Sequence, residues 1–346
     1  MKYNQITIKD IARELGISPS TVSRALKDHP DISRETKKAV NDLAEKLNYE
    51  PNVVALSLRS RKTRTIGVVI PELVHFFFST VISGIEHEAN ASGYTVILTQ
   101  SAESLEREKS SLRTLYNSRV DGMLISISRE TTTFDHITPI LDRGIPVVFY
   151  DRILPVGTTS GILVEDYSGA RDAVRHLVTQ GCKSIGLIQA APNLEISLDR
   201  KRGYQDALSE AGLPLNDSYV IDCQDGEMES GRLAMEKLLS MPVLPDGVFA
   251  NNDALAIGAL KAIRSKGLRV PQDIALIGFS NWAYSQITEP PLSTVDQPGF
   301  EMGRQATRML ITRIEHPEDD KPMPHQVVRL QTGLVVRESS LKSGKP

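Results

Sequence analysis

The chain of 346 residues is poor in the features that build metal, disulfide and membrane-spanning sites. It has 2 cysteines, Cys182 and Cys223, and their separation does not match the short spacings of metal ligands. No apolar run reaches the roughly 18 residues that a membrane-spanning helix needs. The polar start, Met1 to Gln5, lacks the apolar stretch of a secretory signal. We therefore expect a cytoplasmic protein with free thiols, no metal or cofactor and no membrane association.

Signatures of catalysis are also missing. The 7 histidines form no pair at i, i+4 spacing, and the sequence contains no phosphate-binding P-loop. The tripeptide Gly278-Phe279-Ser280 lacks the second glycine of a nucleophile elbow. Since no nucleophile, base or metal set can be assembled, the sequence predicts that the protein is not an enzyme.

What the chain does contain is a basic N-terminal head on an acidic body. Residues 1–64 hold 13 Lys and Arg against 8 Asp and Glu, a net charge of +5, whereas the rest holds 27 against 35, a net charge of −8. This division indicates a polyanionic partner for the head alone. The cluster of Arg59, Arg61, Lys62 and Arg64 suits phosphate contacts, although a solvated linker has the same composition.

Two short helices joined by a glycine turn are predicted in the head. Thr7 and Asp10 form a capping box, and Gly16 falls where the first helix must stop. Ser18 caps the second helix, and Pro19 occupies its first turn. This pattern is typical of a helix-turn-helix that enters the major groove of DNA. From shape alone, an ordinary three-helix packing unit remains the alternative.

The sequence beyond the second helix strengthens this interpretation. The run Thr21-Val22-Ser23-Arg24 is followed by Asn48-Tyr49-Glu50-Pro51-Asn52 and then by Ala55-Leu56-Ser57-Leu58. Together these motifs resemble the LacI/GalR (lactose repressor) family of bacterial transcription regulators, and the resemblance extends along the whole chain. It implies a ligand-responsive repressor that binds a pseudo-palindromic operator as a homodimer, associated with the nucleoid.

The resemblance also implies which residues contact double-stranded operator DNA. Pro19, Ser20 and Arg24 match the base-reading positions of the recognition helix, and an arginine can fork onto guanine. Thr21 and Ser23 correspond to phosphate contacts, which position the helix without specifying sequence. Thr7, at the start of the first helix, completes this set.

A hinge helix is implied for the segment after Pro51. Asn52 would cap this helix, and we assign both Asn52 and Ala55 to DNA contact. Leu58 matches the leucine wedged between central base pairs in the minor groove. Leu56 departs from the family, which often has a polar or basic residue there. The predicted domains are a helix-turn-helix domain at 1–49, a hinge and linker at 50–64, and a core at 65–340.

The core alternates strands with amphipathic helices. Apolar, β-branched runs at 66–70, 94–98, 122–127, 145–150 and 161–164 form one block, and runs at 184–188, 219–221, 247–250 and 274–279 form a second. This pattern predicts two doubly wound parallel-sheet α/β subdomains. We place the first at about 65–163 plus 295–325 and the second at about 164–294 plus 326–340. The resemblance implies the type I periplasmic-binding-protein fold for them.

Ligands bind beyond the carboxyl ends of strands in such sheets. Aromatic and charged residues at these positions suit a small polyhydroxylated or heterocyclic ligand; they are Phe76, Phe77, Asp151, Arg152, Arg200, Asp253 and Trp282. The resemblance assigns effector binding to Arg200 and Asp253 in particular, and it implies a sugar or sugar derivative. The family's Asn-Pro-Phe-Phe run is replaced here by His75-Phe76-Phe77-Phe78, which alters one wall of the pocket.

These site residues also have purely structural interpretations. The phenylalanines suit core or dimer packing, Asp253 suits a helix cap, and Arg200 with Asp151 suits an ion pair between subdomains. A lone tryptophan such as Trp282 is often a core residue. Two rival functions also remain for the whole chain, a solute receptor that delivers sugar to a transporter and an enzyme that acts on a sugar or nucleoside.

Leu58→Ala tests the wedge assignment. We expect operator affinity to fall about tenfold or more, because alanine is too short to unstack and kink a base step. Effector affinity, measured by calorimetry, should stay at its original value. Operator binding that is unchanged in a gel-shift titration would contradict the assignment.

Overall fold

The computed structural model describes residues 6–49, 62–74, 76–153, 159–223, 225–316 and 324–342, and the account below concerns these. The chain divides into two compact units on either side of the Arg64–Thr65 bond. The predicted hinge residues Asn52, Ala55 and Leu58 lie outside the described residues, as do Pro51 and His75.

The head contains three helices whose ends follow the capping signals of the sequence. They are α1 (Ile8–Leu15), α2 (Pro19–Ala25) and α3 (Arg34–Lys46). The backbone N–H of Thr7 donates to Asp10 Oδ2 at 3.0 Å, as in a capping box. Gly16 ends α1 with a left-handed φ of 63°, and Ser18 Oγ accepts from Thr21 N at 3.1 Å. The predicted helix-turn-helix is therefore confirmed.

The core of the head is small and apolar. Ile11 on α1, Val22 on α2 and Val40 on α3 are fully buried and lie in one cluster. Since each helix contributes to this cluster, the three helices bury a shared face and leave the polar face of α2 to solvent.

The second unit alternates strands and helices along the chain. In order, its elements are β1 (Thr65–Ile70), α4 (Phe76–Ala91), β2 (Thr95–Gln100), α5 (Leu105–Asn117), β3 (Gly122–Ile125), α6 (Thr138–Leu141), β4 (Val147–Tyr150), β5 (Ser160–Val164), α7 (Asp166–Thr179), β6 (Ile185–Ala190), α8 (Glu195–Glu210), β7 (Val220–Cys223), α9 (Met228–Leu239), β8 (Gly247–Ala250), α10 (Asp253–Ser265), β9 (Ala275–Phe279), β10 (Ser293–Asp296), α11 (Gly299–Glu315), β11 (Val327–Leu330) and β12 (Gly333–Val335).

These strands form two sheets of six strands each within the described ranges. The first has the order β11-β5-β4-β3-β1-β2, and all its pairs are parallel. The second has the order β12-β10-β9-β8-β6-β7, and only its β10–β12 pair is antiparallel. The predicted architecture of two doubly wound α/β subdomains is confirmed.

Apolar clusters cover both faces of each sheet. Helices α4 and α11 contribute to the cluster on one face of the first sheet, and α5 and α6 to the cluster on the other. Helices α9 and α10 cover one face of the second sheet, and α7 and α8 the other. Helices on both faces are what a parallel sheet requires, because its strands are apolar on both sides. None of the helices in the described residues is both long and apolar enough to cross a membrane.

The predicted boundary between the subdomains is wrong at β10 and β11. Residues from about 326 were expected in the second subdomain, but β11 pairs with β5 in the first sheet, with Val328 opposite Ile162. Residues 295–296 were expected in the first subdomain but belong to β10 of the second sheet. The sequences of β10 and β11 are only four residues long and contain polar residues, so they lack the apolar run that marked the other strands.

The chain consequently passes between the subdomains three times. The crossings follow β5, β10 and β11, at residues 165, 297–298 and 331–332. Three connections side by side allow the two sheets to open and close about a common hinge while their own cores stay intact.

Gly303→Ala tests the close packing of α4 against α11. A Cβ at Gly303 would overlap the carbonyl oxygen of Val81 and lie 2.9 Å from Ile85 N. Since these are backbone atoms of a neighbouring helix, we expect the substitution to lower the free energy of unfolding by about 3 kcal/mol in urea titrations. Gly333→Ala is the control, because its Cβ would meet nothing within 4 Å. Equal stabilities of the two variants would contradict this packing.

Candidate functional site

The exposed face of α2 carries the predicted base-reading residues. Pro19, Ser20 and Arg24 are exposed, Thr21 and Ser23 are half-buried, and Thr7 is exposed at the start of α1. The Ser20 hydroxyl lies 2.7 Å from Ser18 Oγ, within the cap of the helix. The structure therefore brings an arginine and small polar groups together on one accessible helix face.

A cavity of about 250 Å³ lies where the carboxyl ends of the strands of both sheets meet. Both subdomains contribute to its lining, as the switch-point rule for open α/β sheets leads one to expect. The lining residues are Glu72, Phe77, Phe78, Glu103, Arg129, Asp151, Arg152, Ala190, Ala191, Leu194, Ile196, Ser197, Arg200, Asp225, Gly226, Glu227, Asn251, Asn252, Ser280 and Gln297.

Asp151 and Arg152 follow β4 on the side of the first subdomain. Arg152 Nη1 donates to both carboxylate oxygens of Glu103, at 2.9 Å each, and its guanidinium carbon lies 5.9 Å from the ring centre of Phe78. Asp151 is nearly buried, and Arg152 Nε lies 3.6 Å from Asp151 Oδ2. Burial raises the pKa of Asp151 to about 6, although the adjacent Arg152 opposes this effect.

Arg200, on α8, forms the corresponding wall of the second subdomain. Its Nε donates to Asp166 Oδ1 at 2.8 Å, and Nη1 donates to the carbonyl oxygen of Asn251 at 2.6 Å. The guanidinium carbon lies 3.8 Å from the ring centre of Phe279. The ion pair between Arg200 and Asp151 that the sequence left open is therefore replaced by one with Asp166.

The polar floor between these walls is internally bonded. Ala190 N donates to Asn251 Oδ1 at 3.2 Å, and the Ser197 hydroxyl donates to the carbonyl oxygen of Ala190 at 2.8 Å. On the opposite side, the Ser280 hydroxyl donates to Gln297 Oε1 at 2.7 Å. These bonds hold the floor in place within the second subdomain and at the crossing that contains Gln297.

A second cavity of about 250 Å³ adjoins the first and is more aromatic. It is lined by Phe76, Trp282, Val74, Asp253 and Ala254, and both cavities share Glu72, Phe77, Glu227 and Ser280. The structure thus distributes the predicted site residues between two adjoining cavities. Together the cavities offer room in the range of roughly 300–1,000 Å³ that is usual for small-molecule sites.

Asp253 anchors the loop that carries Trp282. Its Oδ2 accepts from Trp282 N, and its Oδ1 accepts from Thr294 Oγ1, both at 2.6 Å. Burial raises the pKa of Asp253 to about 6, while the bonds from Thr294 and Trp282 lower it. The helix cap that the sequence attributed to Asp253 as an alternative belongs to Asn252, whose Oδ1 accepts from Leu255 N at 2.7 Å.

Several lining residues were missed by sequence reasoning. Glu103, Arg129 and Glu227 follow β2, β3 and β7, and Gln297 follows β10. The carboxyl-end rule applies to β2, β3 and β7 as well and would have found the first three. Gln297 could not be predicted in this way because β10, which it follows, was not predicted.

Comparisons with known proteins identify the family. Residues 7–52 match the model of bacterial regulatory proteins of the lacI family, and residues 174–340 match a periplasmic binding protein-like domain. The probable HTH-type transcriptional repressor ExuR of Bacillus subtilis is 37% identical over 317 residues, which cover 90% of this chain and 93% of that protein.

Solved structures agree with this result. The complex of the transcriptional regulator CelR with cellobiose is 28% identical with a TM-score of 0.73, and the match covers 97% of this chain and all of that one. The Lac repressor dimer bound to operator and an anti-inducer is 24% identical with a TM-score of 0.86 over 98% of this chain and all of that one, which shows the same fold.

The chain belongs to the lacI family of bacterial regulatory proteins. It is a transcription regulator and not an enzyme, since its relatives are named transcriptional repressors. The receptor and enzyme alternatives that the sequence left open are not supported.

Asp253→Ala tests the tether of the Trp282 loop. We expect the emission of this sole tryptophan to shift to longer wavelength and the free energy of unfolding to fall by about 1–3 kcal/mol, because the Trp282 N–H and the Thr294 hydroxyl lose their acceptor. Thr294→Val is the control, since it removes one bond to Asp253 and keeps the one to Trp282. If both variants show the emission spectrum of the original protein, Asp253 does not hold the Trp282 loop in place.

Proposed function

We propose that this regulator binds a pseudo-palindromic operator as a homodimer and represses transcription under the control of a small sugar-like effector that binds between its core subdomains. The observation that carries the proposal is the pair of adjoining cavities between two sheets, in a chain whose head has an intact helix-turn-helix. Binding of the effector changes how far the two subdomains close, and the altered closure changes the affinity of the heads for DNA.

In the head, Arg24 and Ser20 read base edges, with Pro19 offering an apolar contact. Arg24 is exposed on α2, so its guanidinium is available to fork onto the O6 and N7 atoms of guanine. Thr21, Ser23 and Thr7 contact phosphates and set the position of the helix. The hinge residues Asn52, Ala55 and Leu58 act in the minor groove as the family resemblance implies.

In the core, Asp151, Arg152 and Arg200 bind effector hydroxyl groups, while Phe76, Phe77 and Trp282 stack on its apolar face. Each subdomain contributes both charged groups and aromatic rings to the two cavities, and these are the two elements that carbohydrate binding needs. Asp253 acts by holding the Trp282 loop. CelR was solved with cellobiose, which supports a sugar as the class of effector.

A homodimer follows from the symmetry of the proposed target. A two-fold pseudo-palindrome presents two equivalent half-sites, which two copies of one head occupy together. The Lac repressor, which shares the fold, was solved as a dimer on its operator. We place the protein in the cytoplasm, associated with the nucleoid, because its target is chromosomal DNA.

Arg24→Ala tests base reading by the head. We expect the preference for operator over random DNA to fall by about 1–3 kcal/mol, because one forked contact to a guanine is lost. Arg13→Ala removes the same charge from α1, where the side chain is exposed and paired with Asp10, and should keep the preference. A gel-shift comparison of both DNAs measures this. Preserved discrimination in Arg24→Ala would mean that the bases are read elsewhere.

A further inference from the structure

The first cavity is lined by more negative than positive charge. Among the described residues that line it, the carboxylates are those of Glu72, Glu103, Asp151, Asp225 and Glu227, and the guanidinium groups are those of Arg129, Arg152 and Arg200. Since net charge in a cleft with apolar walls sets the sign of the local potential, this cavity attracts cations more than anions.

At least two of the three arginines are already engaged by carboxylates. Arg152 is paired with Glu103 at 2.9 Å, and Arg200 is paired with Asp166 at 2.6 Å. An acidic ligand that needed one of these guanidinium groups would have to compete with a carboxylate of the protein for it. The negative net charge of the lining and the pairing of its arginines therefore both disfavour a ligand that carries a carboxylate or phosphate.

Carboxylates face each other across the cleft. Glu72 and Glu103 belong to the first subdomain, and Asp225 and Glu227 belong to the second. Burial raises the pKa of Glu72, and the negative charges of Glu103 and Glu227 raise it further, against the effect of Arg129 and Arg152. Each subdomain contributes one more carboxylate than guanidinium to the lining, three against two and two against one, so a cation between them is favoured.

Asp151 supplies an independent indication of the ligand. Its side chain is only 5% exposed and lines the cavity. Its carboxylate forms an ion pair with Arg152 Nε at 3.6 Å, and no side chain or backbone N–H among the described residues donates a hydrogen bond to it. A carboxylate with one long ion pair keeps unused acceptor capacity toward the cavity, so a ligand that donates N–H or O–H groups is favoured there.

We propose that the effector is an amino sugar, or a closely similar polyol amine, whose ammonium group lies between the carboxylates of the two subdomains. The inference rests on the proposed function and adds the charge of the ligand to it. Hydroxyl groups of the same ligand donate to Asp151, and its apolar face lies toward the aromatic side of the cleft at Phe77. By bridging Glu72 and Glu227, the cation favours the closed arrangement of the subdomains.

The test compares matched sugars that differ in charge. Glucose, glucosamine and glucuronate, and the corresponding galactose series, are titrated into the full-length protein at about pH 7, with Trp282 emission and calorimetry as readouts. We expect at least one amino sugar to bind about tenfold or more tightly than its neutral parent, and the uronates to bind most weakly.

Glu227→Gln and Glu229→Gln form the matched pair of variants. Glu227 lines both cavities, whereas Glu229 lies two residues further along, exposed on α9 and paired with Arg232. Glu227→Gln should reduce the preference for the amine to about threefold or less, and Glu229→Gln should leave it at its original value. An unchanged preference in Glu227→Gln would overturn the assignment.

The remaining outcomes separate this inference from the proposed function. If a neutral or acidic sugar binds most tightly and alters operator binding, the charge inference is overturned and the regulator remains. If no sugar of the panel binds while the head still discriminates operator from random DNA, the inference is likewise overturned. A protein that fails to recognise operator DNA contradicts the proposed function itself.

Discussion

The buried ion pair between Arg200 and Asp166 is the interaction on which the cleft depends. Asp166 stands directly after the first chain crossing, and Arg200 reaches it from α8 while also donating to the carbonyl oxygen of Asn251 after β8. One guanidinium therefore joins a hinge segment, a helix and the end of a strand. Both charges are more than 90% buried, and breaking such a pair leaves an uncompensated buried charge at a cost of about 3–5 kcal/mol.

This arrangement explains why the site lies between the sheets and not within one of them. Parallel strands direct their carboxyl ends to one edge, and the three crossings place the two edges opposite each other. The walls of each half are held by their own bonds, as the Arg152–Glu103 and Arg200–Asp166 pairs show. Closure therefore changes the distance between two rigid walls, which is the type of motion that converts ligand binding into a switch.

The sequence predicted the local structure of the head and most of the core from a few physical signals. Caps at Thr7, Gly16 and Ser18 appear where the residue types require them, and long apolar runs became strands. The strands β10 and β11 were missed or misplaced because four mixed residues become a strand only when a neighbouring sheet edge is present to pair with them. That information lies in the tertiary structure.

The candidate site was likewise only partly predictable from the sequence. Residue type and strand position were sufficient to predict that Asp151, Arg152 and Arg200 line one cavity. They were not sufficient to pair Arg200 correctly, since Asp166 and Asp151 both follow strands of the first sheet and only the folded chain decides between them. Partner choice of this kind depends on the direction of side chains, which no spacing in the sequence encodes.

Similarity of fold alone does not determine the charge of the cleft. Glu72 and Glu227 lie in loops after or between strands, where substitutions leave the sheets intact. Regulators with the same fold are therefore free to carry walls of different charge, and each wall selects its own ligand. For this chain, the opposed carboxylates couple the sign of the effector's charge to the closure of the subdomains, so that recognition and switching depend on the same few side chains.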